Sequence, residues 1–147
     1  YEDVAVTLRS RNLQLREVAE LGKYSISAFP LATQYLGAEF ARMAANNPRY
    51  GETGNQVDQN RLLYRHLIDV VVADQRIFKY MNQRVVSDFR EVVQPVSYHQ
   101  LFEKLPYRVA FRSAALRDRF NRGLATLNGN GLYQQILNRF QYADSVD

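Results

Sequence analysis

Asp74 closes the most apolar run of the chain, Ile68-Asp-Val-Val-Val-Ala-Asp74. A carboxylate at the end of a buried strand lies at the edge where open α/β sheets bind ligands. There it can accept two or three charge-assisted hydrogen bonds from an ammonium group. The same residue stands just ahead of a helical segment near Gln75, so it also suits the role of N-cap. One oxygen can cap while the other binds. A second candidate is the loop Phe29-Pro-Leu-Ala-Thr33, which runs into a helix whose first backbone N–H groups are expected to be free. Those of Ala32 and Thr33, with the Thr33 hydroxyl, suit a carboxylate; the alternative is a plain turn with Thr33 as its cap. Phe29 either walls a ligand side chain or packs into the core.

Other chemistries find little support. The chain has no cysteine, which excludes disulfides, thiol nucleophiles and thiolate metal sites. It has no Gly-Xaa-Ser-Xaa-Gly and no phosphate-cradling glycine loop. His66 and His99 are isolated, without a carboxylate or second histidine at metal-ligand spacing. Glu17 and Glu20 fall on a helix face expected to be solvated. The reading is therefore a protein that is not an enzyme and carries no metal or cofactor. A net charge of +4 permits acidic partners, but the basic residues never form a run of five or six. No groove-reading motif accompanies them, which argues against nucleic acid.

These candidates need elements to position them. At 147 residues, the chain fits one domain that buries about 68–70% of its unfolded surface. No apolar run approaches the roughly 20 residues of a membrane span, and Tyr1 opens into a strand-like segment with no signal peptide ahead of it. Val4, Val6 and Leu8 alternate as a strand. Leu13 to Leu21 reads as a short helix closed by Gly22, Tyr24 to Phe29 as a strand, and Ala32 to Ala45 as one helix. Tyr50 to Asp58 is turn-rich, Gln59 to His66 helical, Ile68 to Ala73 a buried parallel strand and Arg76 to Asn82 a helix. Phe89 to Val93 reads as a strand and Ser97 to Lys104 as a short helix. The last third predicts a short strand after Pro106, a Ser113-capped helix carrying Leu116, Phe120, Leu124 and Leu127, an Asn/Gly turn, and a helix carrying Leu132, Tyr133, Ile136, Leu137 and Phe140. The alternation predicts an α/β architecture with a mainly parallel sheet flanked by helices.

The order of these last pieces, with Gly131-Leu-Tyr133-Gln-Gln-Ile136 before Phe140, resembles the carboxyl end of the amino-acid-type (family 3) periplasmic solute-binding proteins of ABC importers. Three further blocks share the resemblance: Gly22-Lys-Tyr-Ser-Ile-Ser-Ala-Phe29, Ala32-Thr-Gln-Tyr-Leu-Gly-Ala-Glu-Phe40 and Leu67-Ile-Asp-Val-Val-Val-Ala-Asp74. The loop departs from the family's Gly-Thr-Thr pattern in having Pro30 and Leu31.

The resemblance implies one lobe of a type II periplasmic-binding-protein-like fold with C-terminal helices of the other lobe attached. Residues 1–11 would be the crossing strand from the first lobe and 12–105 the second ligand-binding lobe. Residues 106–147 would hold the return crossing and the helices. Most of the first lobe would then be missing, as in a fragment, while Gln141 to Asp147 looks like a natural terminus. The implied ligand is an amino acid or similar small amphoteric solute held between two lobes. Asp74 would meet the ammonium, and Ala32, Thr33 and Phe29 would line this half of the site. An arginine of the absent lobe would take the carboxylate, and Asp69 would be structural. The implied partner is an ABC permease, the implied compartment the periplasm. Helices shaped to cover an absent sheet are expected to repack on the lobe, to swap into a second chain as a domain-swapped homodimer, or to cover a partner. Two alternatives stay open: a ligand-sensing extracellular domain of a signalling protein, and a non-binding interaction domain of the same fold.

Overall fold

The computed structural model describes residues 1–104 and 106–140, which fall into two compact units divided near residue 105. In the first unit the period-two alternation becomes a strand, β1 (Asp3–Leu8), all of whose residues are buried. Val4, Val6 and Leu8 enter one core and Ala5 the other, because successive side chains leave a strand on opposite faces. The valine-rich run forms β4 (Val70–Asp74), likewise buried throughout. Its Val70 and Val72 join the Ala5 core, and Val71 and Ala73 the Val4 core. With β2 (Ile26–Ala28), β3 (Tyr50–Glu52) and β5 (Val96–His99) these strands make one sheet, in the order β3-β2-β4-β1-β5.

Helices cover both faces. One core gathers Leu21, Ile26 and Val72 with Phe40, Met43 and Ala44 of α2 (Gly37–Ala45). The other gathers Val6 and Val71 with Val57 and Leu63 of α3 (Gln56–Tyr64) and Phe78 and Val85 of α4 (Gln75–Phe89). Phe40 and Phe78 are essentially sealed from solvent; full burial of a side chain of this kind contributes about 1.5–3 kcal/mol.

The mixed α/β class stands as expected, but the sheet is less parallel than the strand–helix alternation suggested. β2 runs parallel to β3 and β4, whereas β1 is antiparallel to both β4 and β5. Several elements also differ. The helix expected over 32–45 is broken into α1 (Ala32–Tyr35) and α2. Gly37, at φ +90°, interrupts it with a backbone conformation L-residues rarely adopt. The strand expected at Phe89 to Val93 is the end of α4 and an irregular segment. The buried stripe Phe78, Asn82 and Val85 carries the helix on to Phe89, whose ring takes the Arg61 guanidinium at 3.9 Å. Arg90 then closes it in the left-handed conformation, its N–H bonded to the Val86 carbonyl.

Ser97 to Lys104 is not a helix. Val96 to His99 pairs along β1, from Leu8↔Val96 to Ala5↔His99, and places Val96 and Tyr98 on the Val4 core. Leu13 to Leu21 gives an irregular stretch and a 3-10 helix, Val18–Lys23, which runs through Gly22. The turn-rich 50–58 segment holds the short β3 and the Asn55 cap of α3.

In the second unit, residues 106–112 have no regular structure, in place of the strand expected after Pro106. The two helices form as expected: α5 (Ala114–Gly129), capped by Ser113, and α6 (Leu132–Arg139), entered through Gly131 at φ +75°. Phe111 packs on Phe120 at 5.2 Å between centroids. Neither helix buries a residue; Leu116, Phe120, Leu132, Ile136 and Phe140 are exposed. Gln141 to Asp147, read as a natural terminus, lies outside the described residues, as does Leu105.

Candidate ligand site at the sheet edge

The three parallel strands end on one edge. The register sets Ala28 of β2 beside Glu52 of β3 and beside Val72 of β4, whose last residue is Asp74. The antiparallel β1 starts at the same edge and sets Asp3 opposite Asp74. Four chain segments therefore converge there with three carboxylates.

Asp74 is 8% exposed, and both of its oxygens are engaged. Oδ1 accepts the N–H groups of Arg76 and Ile77 at 2.9 and 3.0 Å, capping α4. Oδ2 accepts the Glu2 N–H at 2.9 Å, while the Glu2 carbonyl accepts the Gln75 N–H at 3.0 Å. The capping role is thus realised, and the second oxygen ties down the start of β1. A carboxylate has about four lone-pair sites; three are used here by backbone. Beside it, burial and then the charge of Asp74 raise the Asp3 carboxyl above the usual carboxylate range.

The loop between β2 and α1 differs from its sequence reading. The backbone N–H groups expected to be free are engaged. Leu31 N–H donates to Glu52 Oε2 at 2.6 Å and Ala32 N–H to the Phe29 carbonyl at 3.2 Å. Thr33 donates to Glu52 Oε1 through both its N–H and its hydroxyl, each at 3.2 Å. The reason lies in the register. Residue 52 is brought alongside Ala28 just before the loop, and its side chain reaches the donors first. Ala32 is fully buried in the core under the loop, Thr33 is half-buried, and Phe29 packs partly against the Ala5 core. Leu31 is exposed and held at φ +65°, an uncommon conformation for a non-glycine residue.

Asp69 has the structural role expected of it. Its Oδ2 accepts the N–H and hydroxyl of Ser25 at 3.0 and 2.8 Å, and its Oδ1 pairs with Arg11 at 2.8 Å. His66 is exposed in a left-handed turn. His99 Nε2 lies 2.9 Å from the Thr7 hydroxyl, and burial pushes its imidazole down, against a hydrogen bond to the Leu15 backbone that raises it. Glu17 and Glu20 form a reciprocal capping box around the 3-10 helix.

Sequence reasoning brought Phe29, Ala32, Thr33 and Asp74 to one sheet edge and missed Asp3 and Glu52. Asp3 carried a signal, as the residue that begins the β1 alternation. Glu52 carried only a weak one: it stands two positions after Tyr50, so in a strand both share a face, and Tyr50 Oη donates to Glu52 Oε1 at 2.7 Å.

No protein-family model and no curated protein matches the chain. Solved structures do. An ancestral arginine-binding protein bound to glutamine is similar over 94% of this chain and 58% of its own, with a TM-score of 0.65 and 16% identity. A mutant of ArgBP from T. maritima is similar over 95% and 57%, with a TM-score of 0.65 and 13% identity. A histidine kinase sensor domain with similarity to periplasmic binding proteins matches over 95% and 58%, at TM-score 0.63 and 18% identity. The chain therefore has a periplasmic-binding-protein-like fold, and it spans 57–58% of the length of these three structures.

Proposed function

We propose, from this fold, that the chain is the larger part of a two-lobed solute-binding protein of an ABC importer, working outside the cytoplasm on an amino acid or similar small amphoteric solute. The observation that carries the reading is the likeness of nearly the whole chain to amino-acid-binding proteins. In it, residues 12–105 form the second ligand-binding lobe. Residues 1–11 carry the crossing strand, which joins the sheet of that lobe as β1, and residues 106–147 return to complete the first. The solute sits at the carboxyl edge of β2, β3 and β4, with Asp74 toward its ammonium group and Phe29, Ala32 and Thr33 along the wall. Closure of the two lobes by a hinge is what a membrane permease would read. No helix among the described residues is long and apolar enough to cross a membrane. Binding, with no covalent step, is the whole of the chemistry.

The exposed stripes of α5 and α6 fit the same reading. Apolar faces of this kind rarely stay open on a monomer, and the occupant we propose is the sheet of the first lobe. Where that sheet is missing, exchange of the helix pair between two copies would take its place.

A geometry-preserving substitution that removes the charge tests the role of Asp74. Asp74→Asn keeps an oxygen for the Arg76 and Ile77 N–H groups and removes the negative charge. A charge-assisted hydrogen bond is worth about 1.5–3 kcal/mol, so amino-acid affinity in the protein with both lobes should fall by about one to two decades. Unchanged affinity by calorimetry would refute the placement. The second reading, a ligand-sensing domain, is favoured by the likeness to the kinase sensor domain. It keeps the same solute chemistry and differs only in what reads the closed form.

A further inference from the structure

Glu52 takes four hydrogen bonds through one carboxylate. Leu31 N–H donates to Oε2, and Thr33 N–H, Thr33 Oγ1 and Tyr50 Oη donate to Oε1. α1 is a single turn of four residues, so its end offers no anion site of its own. What the loop offers is this particular donor set, and the chain fills it from within. The group is ionised at neutral pH. Burial alone would raise it, but the bonds from Tyr50, Thr33 and Leu31 outweigh that and hold it below the usual carboxylate range. Burial and the Glu52 carboxylate together push the Tyr50 phenol well up, so Tyr50 remains a donor.

A solute carboxylate cannot share these donors. Glu52 Oε1 already accepts three hydrogen bonds, and a second carboxylate at hydrogen-bond distance would meet like charge. An ammonium group meets no such conflict, since Glu52 and Asp74 both present carboxylates at this edge.

We propose that Glu52 is a specificity-determining residue: its own carboxylate stands on the donors the loop would give to a solute's carboxylate, so this lobe recognises amphoteric solutes by their amine. The proposal rests on the solute-binding reading above for its biological use, but the occupancy of the donors is independent of that reading. Its consequence is a division of labour, in which the carboxylate of an amino acid is held by the other lobe.

The test is a titration of the full 147-residue chain with sodium acetate against sodium chloride at equal ionic strength, read by the amide shifts of Leu31 and Thr33. Removing Glu52 as Glu52→Ala empties the donors, and acetate should then move both amides along a saturating curve while the unsubstituted chain stays still. Equal response in the two proteins, or no response in a folded Glu52→Ala, overturns the proposal. Should Glu52→Ala fail to fold, Glu52→Gln keeps the side-chain shape and loses the repulsion; a weaker acetate response is expected, and an absent one overturns the proposal equally. A second arm compares L-arginine with agmatine, its decarboxylated analogue, in the protein with both lobes. Glu52→Gln should raise the arginine-to-agmatine affinity ratio at least tenfold. If neither molecule nor any amino acid binds, the solute-binding reading fails while the acetate titration still decides what Glu52 does.

Discussion

Asp74→Ala removes the group that joins β1, β4 and α4, and the structure sets the size of the loss. Two N–H groups at the start of α4, those of Arg76 and Ile77, lose their acceptor. Removal of an aspartate cap costs about 1 kcal/mol. The Glu2 N–H also loses a charged acceptor at 2.9 Å, worth about 1.5–3 kcal/mol. Relief of Asp3, which Asp74 repels across the sheet, offsets part of this. The net is about 3 kcal/mol, close to a hundredfold in an equilibrium constant. Asp74→Asn keeps an acceptor for the cap but can turn only an N–H₂ toward the Glu2 N–H, so it should lose about 2 kcal/mol by the second contribution alone. The assay is native-state hydrogen exchange at the amides of Val71 and Val72, which lie in the middle of the sheet and report its opening. Exchange should accelerate about a hundredfold in the alanine variant and less in the asparagine variant. An alanine variant within threefold of the parent, or no difference between the two, would show that the three bonds do not hold this edge together.

Three further outcomes are expected. Gly37→Ala should destabilise the first unit by about 1–2 kcal/mol, although a Cβ there meets nothing within 4 Å, because the cost is that of φ +90° alone; a neutral result in urea unfolding would contradict this. Asp3→Asn should stabilise at neutral pH and have no effect near pH 3. The raised carboxyl makes the folded state hold its proton longer than the unfolded chain, so the parent loses stability as pH rises above the ordinary value of 3.8; a pH-independent gain would refute the assignment. His99 has the opposite sign. Its lowered imidazole makes the unfolded chain bind the proton first, so stability is full above 6.5 and falls as pH drops through the folded value, and His99→Gln should flatten that fall in melting temperature between pH 7 and 5.

How much of this was legible follows from where each signal is stored. The alternation Val4, Val6, Leu8 and the run ending at Asp74 carry their strands locally, since burial on one or both faces is written in the residues themselves. The Asn128–Gly131 turn between two amphipathic stripes is local too. β5 is not. Val96, Ser97, Tyr98 and His99 form a strand because β1 offers them an open edge, and β1 is distant in sequence. The same long-range pairing made the sheet half antiparallel, which no alternation of strand and helix reveals. At the site, Asp74 was readable both as a cap and as an edge carboxylate because both roles depend on its neighbours in the chain. Glu52 was not, since its role exists only when β3 docks beside β2 and carries residue 52 to the loop.

That docking also explains why the loop can hold Leu31 in the left-handed region, where a non-glycine residue is disfavoured. The strain is local, at one residue. Two acceptors fix the segment around it: Glu52 from β3, through Leu31 and Thr33, and the Phe29 carbonyl, through Ala32. Asp74 does the same at the neighbouring strand end, fixing Arg76, Ile77 and Glu2. Two carboxylates from adjoining parts of one sheet edge thus spend themselves on backbone N–H groups, and a third, Asp3, is left buried beside one of them. An edge organised in this way is tied together by backbone hydrogen bonds before any ligand arrives, and it gathers carboxylates whose charge those donors only partly disperse. A cation entering between the carboxylates gains from that charge without displacing a backbone bond, because Asp74 retains an unused lone-pair site, whereas an anion must first break bonds at Glu52. On the solute-binding reading proposed above, this asymmetry of charge and hydrogen bonding would favour solutes that present an amine to this part of the protein.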